Sequence, residues 1–416
     1  MKHYVKVILW GEPVGYLEYE DESKTSYYEI ESTHPYCRDL APLHLKGNNE
    51  TFFGAYADDF FEGLPSFIAD SLPDDFGNAV LHEWLLKKGE DFSFIPPLKL
   101  SYVGKRAMGA MEYYPDINTS KQNDKSIDIL ELTKISNEIL KGSLDATYSE
   151  DEINQLFQVG TSAGGARSKA IVGIHKETQQ IFPNYHDDKD VIPSIIKFDG
   201  PDSVNNTKCN ESGKIEYAYY LMALDCGITM AKSGTIKSGI FEHFVTERFD
   251  RGGKGVKHHM LTYTGMTGAN PIKRHSLEQI YDNFLKLNLT YDQLEQFQRR
   301  MIFNVVMANH DCHLKNHAFL LKENGVWELS PAYDVTFPYD TNRIWSRELP
   351  ISVNGKTKHI TAQDFEEVGK KYGIKNTVKI IAQINEIASQ WKTFAQKVKL
   401  SEERMDIIGK QITIIQ

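Results

Sequence analysis

Ala308-Asn309-His310-Asp311-Cys312-His313-Leu314-Lys315-Asn316 is the stretch on which the reading of this chain turns. A helical pattern leads into it. Thr290-x-x-Gln293 is a capping box, and Leu294, Phe297, Met301 and Val305 continue it as an apolar stripe, so the spacing predicts a helix over about 291–307. Beyond the stretch come a strand-like His317 to Lys322, a turn at Glu323-Asn324-Gly325, a second strand-like run from Val326 to Ser330, and Pro331-Ala332-Tyr333-Asp334. A hairpin there folds back on itself, so Asn316 and Asp334, 18 positions apart, are expected side by side.

Such a pair suits a hard cation. Mg²⁺ takes oxygen ligands, keeps several waters, and typically uses one or two protein groups beside phosphate oxygens, which Asn316 and Asp334 could supply. Asp311 precedes Asn316 by five residues, the offset of Asp and Asn in the protein-kinase catalytic loop, where the carboxylate takes the proton of an attacking hydroxyl. An isolated Asp-x-x-x-x-Asn is frequent by accident; helix, loop, hairpin and trailing Asp together give it weight. Upstream, Lys197 follows the apolar Ile195-Ile196, where a lysine can reach α/β-phosphates, and Glu216 in a helical stretch is a partner for a Lys–Glu ion pair. Taken singly, these read equally as a strand-edge lysine and a solvated helix charge. Gly160 to Lys169 is a candidate phosphate cradle: Gly164 and Gly165 free the backbone N–H groups, and Arg167 and Lys169 add charge. It is neither a Walker A loop nor G-x-G-x-x-G.

With 416 residues, the chain calls for two or three domains at roughly 150 residues each. Val5, Val7 and Leu9 alternate ahead of the turn at Gly11-Glu12-Pro13, which predicts an opening hairpin, and Val80, Leu81, Trp84 and Leu85 share a helix face. A small mixed domain is expected at 1–112, a polar linker at 116–125, a sheet-bearing lobe at 113–246 and a mostly helical lobe at 247–416, with Val378 to Val398 helical. Cys37, Cys209, Cys226 and Cys312 never form a C-x-x-C pair, which fits reduced thiols and a cytoplasmic address. No membrane span is expected. The net charge of −10 opposes general binding to a phosphate backbone.

The residues resemble the HipA-like serine/threonine kinases, toxins of bacterial toxin–antitoxin modules. The matching segments are Leu72-Pro73-Asp74-Asp75-Phe76-Gly77, Ser162-Ala163-Gly164-Gly165-Ala166-Arg167-Ser168-Lys169, Ile195-Ile196-Lys197, Glu247-Arg248-Phe249-Asp250-Arg251, the catalytic-loop stretch, Pro331 to Asp334 and Ser352-Val353-Asn354-Gly355. The resemblance implies an α+β, two-lobed protein-kinase-like fold with an additional small N-terminal β-rich domain and a mostly helical C-terminal lobe. It implies ATP and Mg²⁺ as cofactors, Asp311 as catalytic base, Lys197 as the ATP lysine, and Asn316 and Asp334 as metal ligands. Glu247, Arg248 and Phe249 would be the hinge reading adenine, Gly164, Gly165, Ala166, Arg167, Ser168 and Lys169 the nucleotide loop, and His313, Leu314 and Lys315 further ATP-side residues of the catalytic loop. Ser162 matches an autophosphorylated serine. The resemblance also implies a target in the translation machinery, such as an aminoacyl-tRNA synthetase, and a HipB-like helix-turn-helix antitoxin through which DNA is met only indirectly.

Three rivals are open at this stage. His310, Cys312, His313 and His317 are residue types that bind Zn²⁺, although no H-E-x-x-H helix is present. A non-catalytic kinase-like co-repressor, or a phosphotransferase acting on a small molecule, would share the core. The basic, glycine-containing Arg251 to His259 is expected as a mobile solvated loop after the hinge rather than a nucleic-acid site.

Overall fold

The computed structural model describes residues 1–45, 51–56, 58–89, 94–117, 126–141, 148, 150–160, 167–183, 189–200, 209–322, 325–338 and 348–416.

The alternation at the start of the chain becomes strand β1 (Lys2–Leu9), with Val5, Val7 and Leu9 buried, and the turn after it returns the chain as β2 (Glu12–Glu20). With β3 (Thr25–Ile30), β4 (Phe52–Tyr56) and β5 (Met111–Tyr114) they form an antiparallel sheet in the order β4-β3-β2-β1-β5. The residue-112 boundary thus falls inside a strand, because Lys6 to Leu9 of β1 need Met111 to Tyr114 as ladder partners. Short helices α1 (Pro42–Leu45) and α2 (Ser66–Ala69) lie between strands, followed by α3 (Asp75–Lys88) and α4 (Pro96–Val103). Asp74 caps α3, accepting from the Gly77 N–H at 2.7 Å, and Gly89 ends it at φ +64°.

Helix α3 leaves its own sheet. Phe76, Val80, Leu81 and Leu85 join Leu132, Ile135, Leu156, Val172 and Ile196 in the core of the second unit. That unit holds α5 (Ile129–Lys141), α6 (Glu150–Val159), β6 (Lys169–His175), β7 (Ile181–Phe182), β8 (Val191–Lys197), α7 (Ser212–Asp225), β9 (Ser233–Ser238) and β10 (Phe241–Glu247). Its sheet runs β7-β6-β8-β10-β9, all antiparallel, with β8 central. Phe157, in the last turn of α6, stacks on Trp84 of α3 with ring centroids 4.2 Å apart. Gly213 lets α7 lie against β10, since a Cβ there would collide with the Glu242 carbonyl oxygen.

The remainder is mostly helical. It carries β11 (His259–Thr262), α8 (Tyr263–Thr267), β12 (His275–Ser276), α9 (Leu277–Lys286), α10 (Tyr291–Val306), β13 (Ala318–Leu321), β14 (Trp327–Leu329) and β15 (Ile351–Ser352). Helices α11 (Ala362–Lys371), α12 (Thr377–Ser389), α13 (Trp391–Lys397) and α14 (Glu402–Gly409) complete it. The expected capping box of Thr290 with Gln293 is formed, and Ser276 with Gln279 makes a second one at the start of α9. On α10, Phe297 and Met301 are fully buried, and each such side chain contributes about 1.5–3 kcal/mol by leaving water. The long core joins this lobe to the N-terminal sheet. Among the described residues no helix is long and apolar enough to cross a membrane.

Candidate active site

A cavity of about 380 Å³ lies where the three units meet. One floor is the loop after α10. Helix α10 ends at Val306, Ala308 turns the chain at φ +54°, and the Asn309 amide donates to Asn304 Oδ1 at 3.0 Å, fixing the loop to the last turn of the helix. Asn316 Nδ2 donates to the backbone carbonyl of Asp311 at 2.7 Å. The β13–β14 hairpin then brings the chain back, and Tyr333 Oη donates to the Lys315 carbonyl at 2.6 Å, so Asn316 and Asp334 border the same cavity as the hairpin argument requires. Asp334 itself adopts φ +55°, a left-handed conformation Asp tolerates better than most residues.

Lys197, at the end of the central strand, is not a surface lysine. Its Nζ lies 2.6 Å from Glu216 Oε1 and 2.5 Å from Asp334 Oδ1. Burial alone would lower the ammonium's pKa, but Asp334 and Glu216 outweigh it and hold Lys197 above its ordinary value. Burial likewise pushes Asp334 up, and Lys197 more than reverses this, so its carboxylate is held below the usual range. Glu216 is one turn inside α7 and 2 % exposed, rather than a solvated helix-end charge.

Asp311 does not itself line the cavity; its carboxylate lies 3.9 Å from Nε2 of His313, which does. Partial desolvation raises its pKa, the nearby Asp334 adds to this, and His313, Arg167 and Lys197 oppose it. Glu247 and Phe249 line the cavity together with apolar Ile195, Met230, Met260 and Val335, a surface suited to a flat ring.

Some expected site residues are placed otherwise. The Arg248 backbone N–H donates to the Pro193 carbonyl at 2.9 Å, but its guanidinium is locked on Asp250 (Nε to Oδ1 2.9 Å, Nη2 to Oδ2 2.6 Å), away from a base-reading role. Leu314 is buried in the main core, and Ser168 is a buried strand-edge residue whose carbonyl accepts from the Phe198 N–H. Neither lines the cavity. Lys169 does line it, but as a buried group paired with Asp74. Ser162, Gly164, Gly165 and Ala166 lie outside the described residues. The expected mobile loop at 251–259 is pinned instead: Lys257 pairs with Glu112 at 2.6 Å, its carbonyl accepts from Trp10 Nε1, and His259 is fully buried in β11.

The zinc arrangement is not formed among the described residues, where no group of three or more His, Cys, Asp or Glu side chains could hold a metal. Cys312 is 1 % exposed and its thiol is pushed up by burial, the wrong direction for a thiolate ligand. Asn316 and Asp334 fit a hard cation better, because the Asn316 amide nitrogen is already engaged and leaves an oxygen as the available donor. What the sequence reading missed is the N-terminal wall: Phe60, Asp70, Leu72, Asp74 and Met108 all line the cavity. The Leu72 to Gly77 motif was the available signal, but nothing local in it tells which lobe it faces.

Residues 5–114 match the family model described as the HipA N-terminal domain, and residues 161–408 match the HipA-like C-terminal domain. Among solved structures, a chain of the Shewanella oneidensis MR-1 toxin–antitoxin complex of HipA, HipB and operator DNA shares the fold with a TM-score of 0.64 at 14% identity, over 98% of this chain and 95% of that one. The Helicobacter pylori proinflammatory kinase CtkA aligns with a TM-score of 0.38 at 13% identity, over 60% of this chain and 87% of that one. No curated protein matches the chain.

Proposed function

The chain belongs to the HipA family, and on that premise we propose that it is an ATP- and Mg²⁺-dependent serine/threonine protein kinase serving as the toxin of a toxin–antitoxin pair. The observation that carries the reading is the Lys197 bridge between Glu216 and Asp334: an ammonium and a carboxylate from two lobes converge in one cavity, as transfer of a phosphoryl group from a nucleotide demands.

In this reading the apolar wall of Ile195, Met230 and Met260 takes the purine, and the hinge backbone at Glu247 to Phe249 reads its edge. Lys197 holds phosphate oxygens, with Glu216 keeping it oriented. Asn316 and Asp334 would hold Mg²⁺, which when bound neutralises charge developing on the phosphates. Asp311 accepts the proton of the attacking hydroxyl, and its raised pKa moves it toward the range of an effective base. Asn316 holds the loop by its bond to the Asp311 carbonyl, so base and metal ligand keep one spacing.

The acceptor is a protein hydroxyl, by family resemblance one in the translation machinery such as an aminoacyl-tRNA synthetase, with Ser162 as a site of self-modification. A HipB-like antitoxin is the partner, supported by the Shewanella assembly having been solved with HipB and operator DNA. Incubation with γ-labelled ATP and Mg²⁺ tests the activity: label should enter Ser162 or an added target with the intact protein and not with Asp311→Ala. Absence of any ATP turnover or protein labelling by the folded wild type would overturn it.

A further inference from the structure

Asp74 does two things at once. Its Oδ1 caps α3 through the Gly77 N–H, and its Oδ2 lies 2.7 Å from Lys169 Nζ. The two side chains are 5% and 4% exposed, so the pair is formed in the interior, between a helix that opens in the N-terminal domain and the first strand of the lobe that carries Lys197. Lys169 and Lys197 are register partners on β6 and β8. Directly opposed residues of an antiparallel pair project from the same face. Both lysines line the cavity, and each meets a carboxylate: Lys197 has Glu216 from α7, and Lys169 has Asp74 from another domain.

We propose that Asp74 is a positioning residue for phosphate recognition, holding Lys169 beside Lys197 as a second ammonium at the polyphosphate end of the cavity, so that the N-terminal domain is a working part of the nucleotide site. The inference rests on the nucleotide reading above and adds a residue to it. Burying an ammonium is costly unless a carboxylate sits against it. Asp74 supplies such a carboxylate to Lys169 at 2.7 Å, and its own position is fixed by its other oxygen on the helix cap. Because the pair spans two units, the coupling runs both ways: a nucleotide that engages Lys169 strengthens the seating of α3, and displacement of α3 by a bound partner weakens nucleotide affinity by the same factor.

The test separates charge from cap. Asn caps helices about as well as Asp, so Asp74→Asn keeps the Gly77 bond and removes the charge. ATP affinity, measured by calorimetry with Mg²⁺, should fall about tenfold or more in Asp74→Asn and in Lys169→Met, as expected for loss of a charge-assisted contact. Adenosine, which carries no phosphate, should bind all variants as it binds the wild type. The double variant Asp74→Asn/Lys169→Met buries no unpaired charge, so its melting temperature should recover toward wild type while its ATP affinity stays at the Lys169→Met level. Unchanged or tighter ATP binding in either single variant, equal losses for ATP and adenosine, or wild-type ATP affinity in the double variant would each overturn the proposal. A folded wild type that binds neither ligand instead overturns the nucleotide reading beneath it.

Discussion

The Asn316 side chain donates from Nδ2 to the Asp311 backbone carbonyl at 2.7 Å, closing the loop after α10 across five residues. The bond orients the amide so that its oxygen, not its nitrogen, is the group left for a cation, and it ties that oxygen's position to the Asp311 backbone. Asn316→Ala should therefore disturb loop and metal together. Activity titrated against Mg²⁺ should show the requirement rise about 10–100-fold, the usual cost of losing a group that supports a metal site. A variant with the wild-type Mg²⁺ curve would remove Asn316 from the metal site.

For Asp311, partly solvated and raised by its surroundings, Asp311→Asn keeps the shape and deletes the proposed base. Turnover should drop by about 10²–10⁴ while the nucleotide dissociation constant holds, because general-base catalysis acts on the transition state. Loss of ATP binding with retained turnover per bound nucleotide would mean the side chain has another task.

The loop and hairpin were legible because everything that forms them is local. The capping box at Thr290, the apolar stripe of α10 and the turn-flanked runs around 317–330 lie within 45 residues, and the structure reproduces them as α10, β13 and β14. Lys197 and Glu216 were legible as types, though their burial was not, since being central in β7-β6-β8-β10-β9 is a property of strand order. Asp74 and Arg248 were read too simply for the same reason. Each looks like a motif residue in sequence, yet its partner, Lys169 95 positions away or the Asp250 that also receives Gly109, is set by how one domain seats on another.

His259 supplies a dependence on pH. It is fully buried, Nε2 bonds the Leu40 carbonyl at 3.0 Å, and Nδ1 has no hydrogen-bond partner among the described residues, so a second ring proton would bury an uncompensated charge. Burial lowers its pKa to about 4, and does the same for His243. The unfolded chain, with histidine near 6.5, binds protons first as pH falls, so the stability is whole above about 6.5 and lost progressively down to about 4. The loss should be on the order of 1–3 kcal/mol per group between pH 7 and 4.5. Urea midpoints at the two pH values measure it, and His259→Gln should narrow the gap; an equal gap in that variant would clear His259 of the effect.

The hinge rests on Asp250, and removing its charge should damage folding more than any single catalytic substitution. The carboxylate is fully buried and accepts from Arg248 Nε and Nη2, from Arg251 Nη1 at 2.7 Å and from the Gly109 N–H at 2.6 Å. Gly109, at φ +82°, is itself pressed so closely on the Met260 backbone that a Cβ would have to displace it. One oxygen pair thus joins the N-terminal domain, the hinge and the strand behind it. Burial would raise the Asp250 pKa, but Arg248 and Arg251 reverse this and hold it well below the ordinary carboxylate range. Its contribution is therefore present above the unfolded carboxylate value near 3.9 and is lost only as pH falls below that, which keeps it constant through the histidine window. Asp250→Asn presents an NH₂ group to donors and leaves two guanidinium groups buried without their shared counter-charge. Breaking one side of a buried ion pair typically costs about 3–5 kcal/mol, and the same range is expected here from urea unfolding at pH 7.5. ATP affinity should fall with it, since Arg248 borders the cavity. A loss below about 1 kcal/mol, the scale of an exposed pair, would show that water reaches Asp250 and that the domains are seated by their apolar contacts alone.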